Sequence, residues 1–402
     1  MNCINLRHLN CFCEVFRRRS INAASHYVYL SQSAITQALS KLEMNLGAQL
    51  FLRSSSGMYP TEAGEIYYGR VQHALDLIEK GAKEAQSHTN IECSEGTKGF
   101  YRMVTAHQLR ALIAIFETGD FNLAARFSGI SKSSIHRHTK ALERLAGIPI
   151  FEKSRIGVTF TSASQILIRY AKLAFTEIEN AQAEINALVG NDTGRIVIGG
   201  MPLARTYILP KAVTVFLSEY PDHNVKILDG PYEYLMNGLR SGDIDLLLGA
   251  LRDPLLVGGV EQEFLLDDPL AIVARTDHPI FKTKKLTINT LAAYSWITPS
   301  EGRPLRARFE DLFEDLGQKS PKRIVECSSF IAMRGLLLES DSLALMSTHQ
   351  LQYGMGEKLI SILPFPVKDI FRKIAITTRE EWNPTRPQER FVEILHQVSA
   401  CK

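Results

Sequence analysis

Four polar side chains recur at helical spacing in two places. Ser33, Thr36, Gln37 and Ser40 fall on one side of a helical wheel, with Ile35, Leu39 and Leu42 on the other. One hundred residues later, Ser133, His136, Arg137 and Lys140 occupy the same offsets. Hydroxyl, amide, imidazole and guanidinium groups can match the base edges of a duplex major groove, and a helix anchored by an apolar stripe has the shape to enter it. Arg53 in the first place, and Lys153 with Arg155 in the second, follow in short segments centred on Gly57 and Gly157. A hairpin there would lie along the phosphates as a wing. This chemistry is recognition: no catalytic residue, metal or cofactor is expected.

The elements that position these residues belong to an internal repeat. A constant offset of one hundred takes Leu9 to Leu109, Ala24 to Ala124, Ser31 to Ser131, Leu42 and Glu43 to Leu142 and Glu143, Gly47 to Gly147 and Thr61 to Thr161. In each copy an i, i+3, i+6, i+7 stripe (Leu9, Phe12, Val15, Phe16; Leu109, Leu112, Ile115, Phe116) should bury one face of a first helix. A second short helix follows, then Ser31 or Ser131 as the cap of a third that ends at Gly47 or Gly147. Beyond each wing the chain is strongly helical. Leu167, Ala171, Ala174, Ile178, Ala181, Ile185 and Leu188 form a heptad seam, repeated more weakly at Val71, Leu75, Ile78, Ala82 and Ala85. Residues 87 to 99 between the copies are polar and read as a connector.

These motifs resemble the LysR-type transcriptional regulators, whose DNA-binding unit typically reads SQ-x-A-[VI]-[ST]-x-x-[IL]-x-x-LE-x-x-LG-x-x-LF-x-R and then LTEAG. The first copy gives SQSAITQALSKLEMNLGAQLFLR and PTEAG; the second, looser, gives SKSSIHRHTKALERLAGIPIFEK and FTSAS. The resemblance adds Gln32 to the DNA-facing set, and Lys132 where the family has Gln. It implies that the linker helices form a dimer. Family members carry one such unit, so the doubling leaves open whether both copies bind DNA or only one does.

From Gly194 onward, short apolar runs alternate with helices, the pattern of an open α/β sheet. GRIVIGG with ILP, GDIDLLLG, DDPLAIVAR and ALMSTHQ resemble the effector domain of the same family, two Rossmann-like lobes similar to periplasmic binding proteins. The expected fold class is thus multidomain: two tandem all-α winged helix-turn-helix units with linker helices, then a two-lobed α/β effector domain. Its expected boundaries are 1–60 and 100–160 for the helix-turn-helix units, and 61–99 and 161–190 for the linkers. Lobe 1 should span 191–271 with a return at 379–402, and lobe 2 should span 272–378. A ligand would sit at the carboxyl ends of the strands. There Arg205, Ser300, Arg303, Ser328 and Ser329 are the expected polar contacts, and Met201 and Tyr232 the walls.

Composition agrees with this reading: 45% apolar and 22% charged residues are those of a globular protein. Residues 1–90 hold 9 Lys and Arg against 7 Asp and Glu, residues 101–190 hold 11 against 7, and the remainder 26 against 29. The basic excess therefore lies with the repeat, as a polyanion partner requires. Six cysteines without a CxxC pair, and the lack of a signal-peptide core, favour the cytoplasm with reduced thiols. The expected partners are double-stranded DNA, a small-molecule effector such as a carboxylate or sugar, and further copies in a homodimer or homotetramer, with no membrane. A transport-type solute receptor is the alternative. An enzyme is disfavoured, because the α/β half carries no Walker loop, GxGxxG, HExxH or GxSxG motif.

Overall fold

The computed structural model describes residues 5–55, 57–89, 99–152, 158–252, 255, 258–354, 359–365 and 370–400. The chain forms two compact units that divide between Gly194 and Arg195, with Ser241–Asp243 counted in the first.

The first unit holds the repeat. Copy 1 comprises α1 (Leu6–Arg18), α2 (Ile21–Val28), α3 (Gln32–Leu46), the wing strands β1 (Phe51–Ser54) and β2 (Gly57–Pro60), and the linker helix α4 (Glu62–Ser87). Copy 2 follows a short α5 (Phe100–Met103). It comprises α6 (Ala106–Thr118), α7 (Phe121–Ser128), α8 (Lys132–Ala146), β3 (Phe151–Glu152), β4 (Thr159–Phe160) and the linker helix α9 (Ser162–Leu188). Leu9, Phe12 and Val15, and their counterparts Leu109, Leu112 and Ile115, are buried as the stripe demands. Phe116 departs from it. It is 42% exposed, edge-on to Phe160, whereas Phe16 stacks flat on Tyr68 at 3.8 Å. Cys11 and Cys13 are buried packing residues, and burial pushes the Cys11 thiol up to about 11.

Side-chain caps hold both copies in the same way. The Ser31 and Ser131 hydroxyls accept from the amides of Ala34 and Ser134, and Gly47 and Gly147 close the third helices at φ 68° and 65°. Glu43 accepts from the amides of Leu50 and Phe51, and Glu143 from that of Ile150, tying each third helix to its wing. Gly57 is required where it stands: its φ is 144°, and a Cβ there would lie 2.7 Å from the Arg19 carbonyl oxygen.

The two linker helices pack on each other, and they run antiparallel. Arg70, near the start of α4, meets Glu177 and Glu184 late in α9 at 3.1 and 2.7 Å; Glu84, late in α4, meets Arg169 and Tyr170 early in α9 at 2.8 and 2.5 Å. The seam residues Val71, Leu75, Ile78, Ala82 and Ala85 are buried against Leu167, Ala171, Ala174, Ile178, Ala181 and Ile185 in one core. Leu188, expected in the seam, is 43% exposed at the end of α9. The resemblance led us to expect this seam between chains; here it is filled within one chain.

The second unit is one continuous mixed sheet with helices against it. In chain order it contains β5 (Arg195–Gly200), α10 (Pro202–Thr206), α11 (Ile208–Glu219), β6 (Asn224–Leu228), α12 (Tyr232–Ser241), β7 (Leu246–Ala250), β8 (Val260–Arg275), α13 (Ile288–Ala292), β9 (Ser295–Thr298) and α14 (Pro304–Asp315). It then adds β10 (Ile324–Glu326), α15 (Phe330–Glu339), β11 (Ser342–Ser347), α16 (Thr348–Gly354), β12 (Ile360–Ile362), β13 (Phe371–Arg379) and α17 (Arg386–Ala400). Parallel triplets β6-β5-β7 and β10-β9-β11 form the two lobes, and the long antiparallel pair β8 and β13 joins them. The apolar run opening at Ile272 is thus the far end of a 16-residue strand that begins in the first lobe. Although 272–378 was expected to form the second lobe, β13 pairs with β7, and its Ile374 and Ile376 lie in the first lobe's core.

Candidate nucleic-acid interface and effector crevice

On α3, Ile35, Leu39 and Leu42 are buried, while Gln32, Ser33, Gln37 and Ser40 are exposed and Thr36 is half-buried. Helix α8 repeats the arrangement: Lys132, Ser133, Arg137 and Lys140 are exposed and His136 is half-buried. Each expected reading residue other than those on the second wing therefore stands on a surface, fixed from behind by an apolar anchor. The Thr36 hydroxyl donates to the Gln32 carbonyl at 2.9 Å, and the Gln32 amide donates to the Asn22 side chain at 2.9 Å. Gln37 and Arg137 point outward with long, adaptable reach. His136 stacks on Phe121 at 4.2 Å, which orients its ring, and His138 stacks on His107. Burial, with Arg137 and His107 nearby, holds His138 below the ordinary imidazole value. Arg53 is exposed on the first wing; Lys153, Arg155 and Gly157 lie outside the described residues.

In the second unit the expected crevice residues sit at the carboxyl ends of parallel strands. Met201 follows β5 and lies beside Gly249 of β7, and it packs with Tyr232 in one apolar cluster. The Arg252 guanidinium lies 3.6 Å above the Tyr232 ring, whose hydroxyl is buried without a hydrogen-bond partner among the described residues. Arg205 is exposed and ion-paired with Asp229 at 2.7 Å. In the other lobe, Ser300 and Arg303 follow β9, and Ser328 and Ser329 follow its parallel neighbour β10. Ser329 caps α15 by accepting from Ala332, and Arg303 starts α14 with no side-chain cap.

Sequence reasoning missed a buried polar group between the lobes. Asp268 on β8 is fully buried; it accepts from Ser347 at 2.5 Å and from Arg372 of β13 at 2.8 Å, with His349 Nδ1 at 3.3 Å. The His349 ring stacks on Tyr207 at 4.5 Å, joining the second lobe to the first. One signal for it was present in the sequence: Asp268 lies between two apolar runs, 264–266 and 270–274, and an acid buried there has to find a cation. Arg306 was also missed. It turns inward from α14 to donate to Thr298 at 3.0 Å, where Arg303 had been the expected basic contact.

No helix among the described residues is long and apolar enough to cross a membrane. Residues 190–400 match the LysR substrate binding domain. Residues 6–65, and again 106–165, match the bacterial regulatory helix-turn-helix protein, lysR family. Among curated proteins, the chain is similar to the HTH-type transcriptional regulator GalR of Pseudomonas putida, 29% identical over 93% of this chain and 92% of that one. The part left uncovered is shorter than one repeat unit, so the likeness runs through both. It is also similar to the regulator CbbR of Xanthobacter flavus, 26% identical over 69% of this chain and 83% of that one. Two solved structures share the fold. A full-length OxyR variant from Pseudomonas aeruginosa is 21% identical, with a TM-score of 0.55 over 73% of this chain and 94% of that one. Full-length CbnR in complex with its target DNA is 20% identical, with a TM-score of 0.54 over 72% of this chain and 98% of that one.

Proposed function

Because this chain belongs to the LysR family of bacterial transcriptional regulators, we propose that it binds duplex DNA sequence-specifically through both N-terminal units. In this reading a small molecule held between the α/β lobes controls that binding. The observation that carries it is the duplicated polar face on α3 and α8, anchored and capped alike in both copies. Ser33, Thr36 and Gln37, with Ser133, His136 and Arg137, read base edges; Gln32, Ser40, Lys132, Lys140, Arg53 and Lys153 position the helices on the backbone.

The effector is a small carboxylate or sugar. Met201 and Tyr232 form its wall, Arg252 and the unpartnered Tyr232 hydroxyl supply donors, and Ser300, Arg303, Ser328 and Ser329 face it from the second lobe. The Asp268 network sets the angle between the lobes, and the ligand shifts the population of lobe arrangements. No covalent step is involved, and the chain is not an enzyme.

Footprinting of the full chain on a duplex library should yield a discrete protected site whose affinity falls steeply with salt. Failure to retain any duplex at low salt would overturn the reading. Thermal shifts with panels of carboxylates and sugars should single out a ligand class whose stabilisation is reduced by Arg303→Ala and Tyr232→Phe.

A further inference from the structure

We propose that a single chain reads both halves of one DNA site, and that the two halves differ in sequence. This rests on the DNA-binding reading above and names its partner: a two-part, non-palindromic duplex.

The pairing of the linker helices obeys the offset of the repeat. Contact between Arg70 and Glu184 becomes, on exchanging the copies, contact between Tyr170 and Glu84, and both are present, at 2.7 and 2.5 Å. Helices α4 and α9 are therefore related by a pseudo-two-fold axis across their middles. Each carries its helix-turn-helix unit at its own N-terminus, so the antiparallel pair sets the two units at opposite ends. The ends are fastened: Gln86 of α4 donates to the Ala146 carbonyl at the close of α8 at 2.7 Å, and α9 touches α3 in turn. Glu79 accepts from the Gly99 amide, so the chain enters copy 2 beside α4. Helix α4 has 26 residues, which at 1.5 Å each is about 39 Å. That is commensurate with the roughly 34–36 Å between successive major-groove faces.

The partners are also matched as unlike halves. A Cβ at Gly81 would fall 2.4 Å from the Tyr170 Cβ, so this large ring needs glycine opposite it. Pairing two α9 helices from different chains would set Ala181 there, and would bury Glu177 with Tyr170 in place of Arg70. Pairing two α4 helices between chains leaves the α9 seam bare. The two reading faces differ as well. That of α3 is neutral, whereas that of α8 carries Lys132, Arg137 and Lys140.

The test uses the full-length protein and the duplex it enriches from a random pool, cut into halves A and B. The A–B duplex should bind about tenfold or more tightly than either the A–A or the B–B palindrome. Gln37→Ala should relax base preference in one half alone, and Arg137→Ala in the other alone. Both residues are exposed, so thermal melting should be unchanged. An enriched site that is itself palindromic, or a Gln37→Ala effect on both halves, would overturn the proposal by placing first units from two chains on one site. Loss of all duplex binding by the unmodified protein would instead remove the DNA reading beneath it. A measurement independent of DNA pairs Glu84→Cys with Arg169→Cys, a more exposed contact across the same two helices, with Cys3, Cys93, Cys327 and Cys401 replaced by Ser. A short bismaleimide should then give a cross-linked product of one-chain mass, and a two-chain product would overturn the pairing within a chain.

Discussion

Arg19 and Tyr29 of the first repeat unit stand where the second has Gly119 and Gly129, and all four adopt left-handed backbone, with φ of 56°, 54°, 67° and 67°. The same chain path is thus imposed on side chains that resist it in one copy and on glycines that adopt it freely in the other. Outward chemistry diverged too: Gln37 and Ser40 became Arg137 and Lys140, while the caps Ser31 and Ser131, the seam residues and the Glu43 and Glu143 tethers kept their roles. The copies therefore share what holds a third helix in place and differ in what that helix offers. Duplication within one chain permits this, because each half then answers to its own half of the partner.

The largest blow to the comparison would be to part the two copies. Arg70→Ala takes the guanidinium from Glu177, which is 6% exposed, and leaves it only the weaker contact with His73 among the ion pairs described; the first unit should be destabilised by about 3 kcal/mol. Denaturant titration of the full chain should show this unit's transition moving while that of the α/β unit stays. Next comes acid. Burial opposes the charge of Glu177, but hydrogen bonds and charge from His73 and Arg70 outweigh it and hold its carboxyl below the ordinary 4.5. A depressed value means that the stabilisation is complete above the ordinary value and lost as pH falls through the folded-state value. The pairing should therefore loosen below about pH 4.5, and melting of Glu177→Gln across that range should lose the dependence.

The reading faces give a smaller and more specific contrast. Lys140→Ala should lower the slope of log affinity against log salt by about 1, whereas Ser40→Ala should leave it unchanged. Equal slopes would mean that the charge on α8 does not face phosphate. Smallest is the backbone effect: Tyr29 is 88% exposed, so Tyr29→Gly relieves the left-handed strain with little lost packing. A gain of roughly 0.5–1 kcal/mol is expected once the greater freedom of an unfolded glycine is subtracted, and Gly129→Tyr should move the second copy the opposite way.

Much of this was legible before any coordinates, because it depends on neighbours three to seven residues away. Caps at Ser31 and Ser131, glycine stops at Gly47 and Gly147, and the buried sides of α3 and α8 are rules of one or two helical turns. Phe116 and Leu188 broke the pattern because what covers a helix face is another element, and at those two places that cover is incomplete. The first part of β8 was hidden by its polar residues and Pro269, which a strand can tolerate beside β13 but which local pattern reads as a break. Asp268, Arg372, His349 and Tyr207 are far apart in sequence, so their convergence could not be read from spacing.

By itself, then, the order of residues determined the repeat, the polarity of each helix and the class of partner, since these follow from side-chain chemistry at fixed helical intervals. Which seam meets which was decided only in three dimensions. Two apolar stripes of equal period pair equally well on paper. The choice of α4 against α9, over either helix against its own copy, came from the glycine under Tyr170 and the buried cation facing Glu177, contacts that exist only once the helices lie side by side.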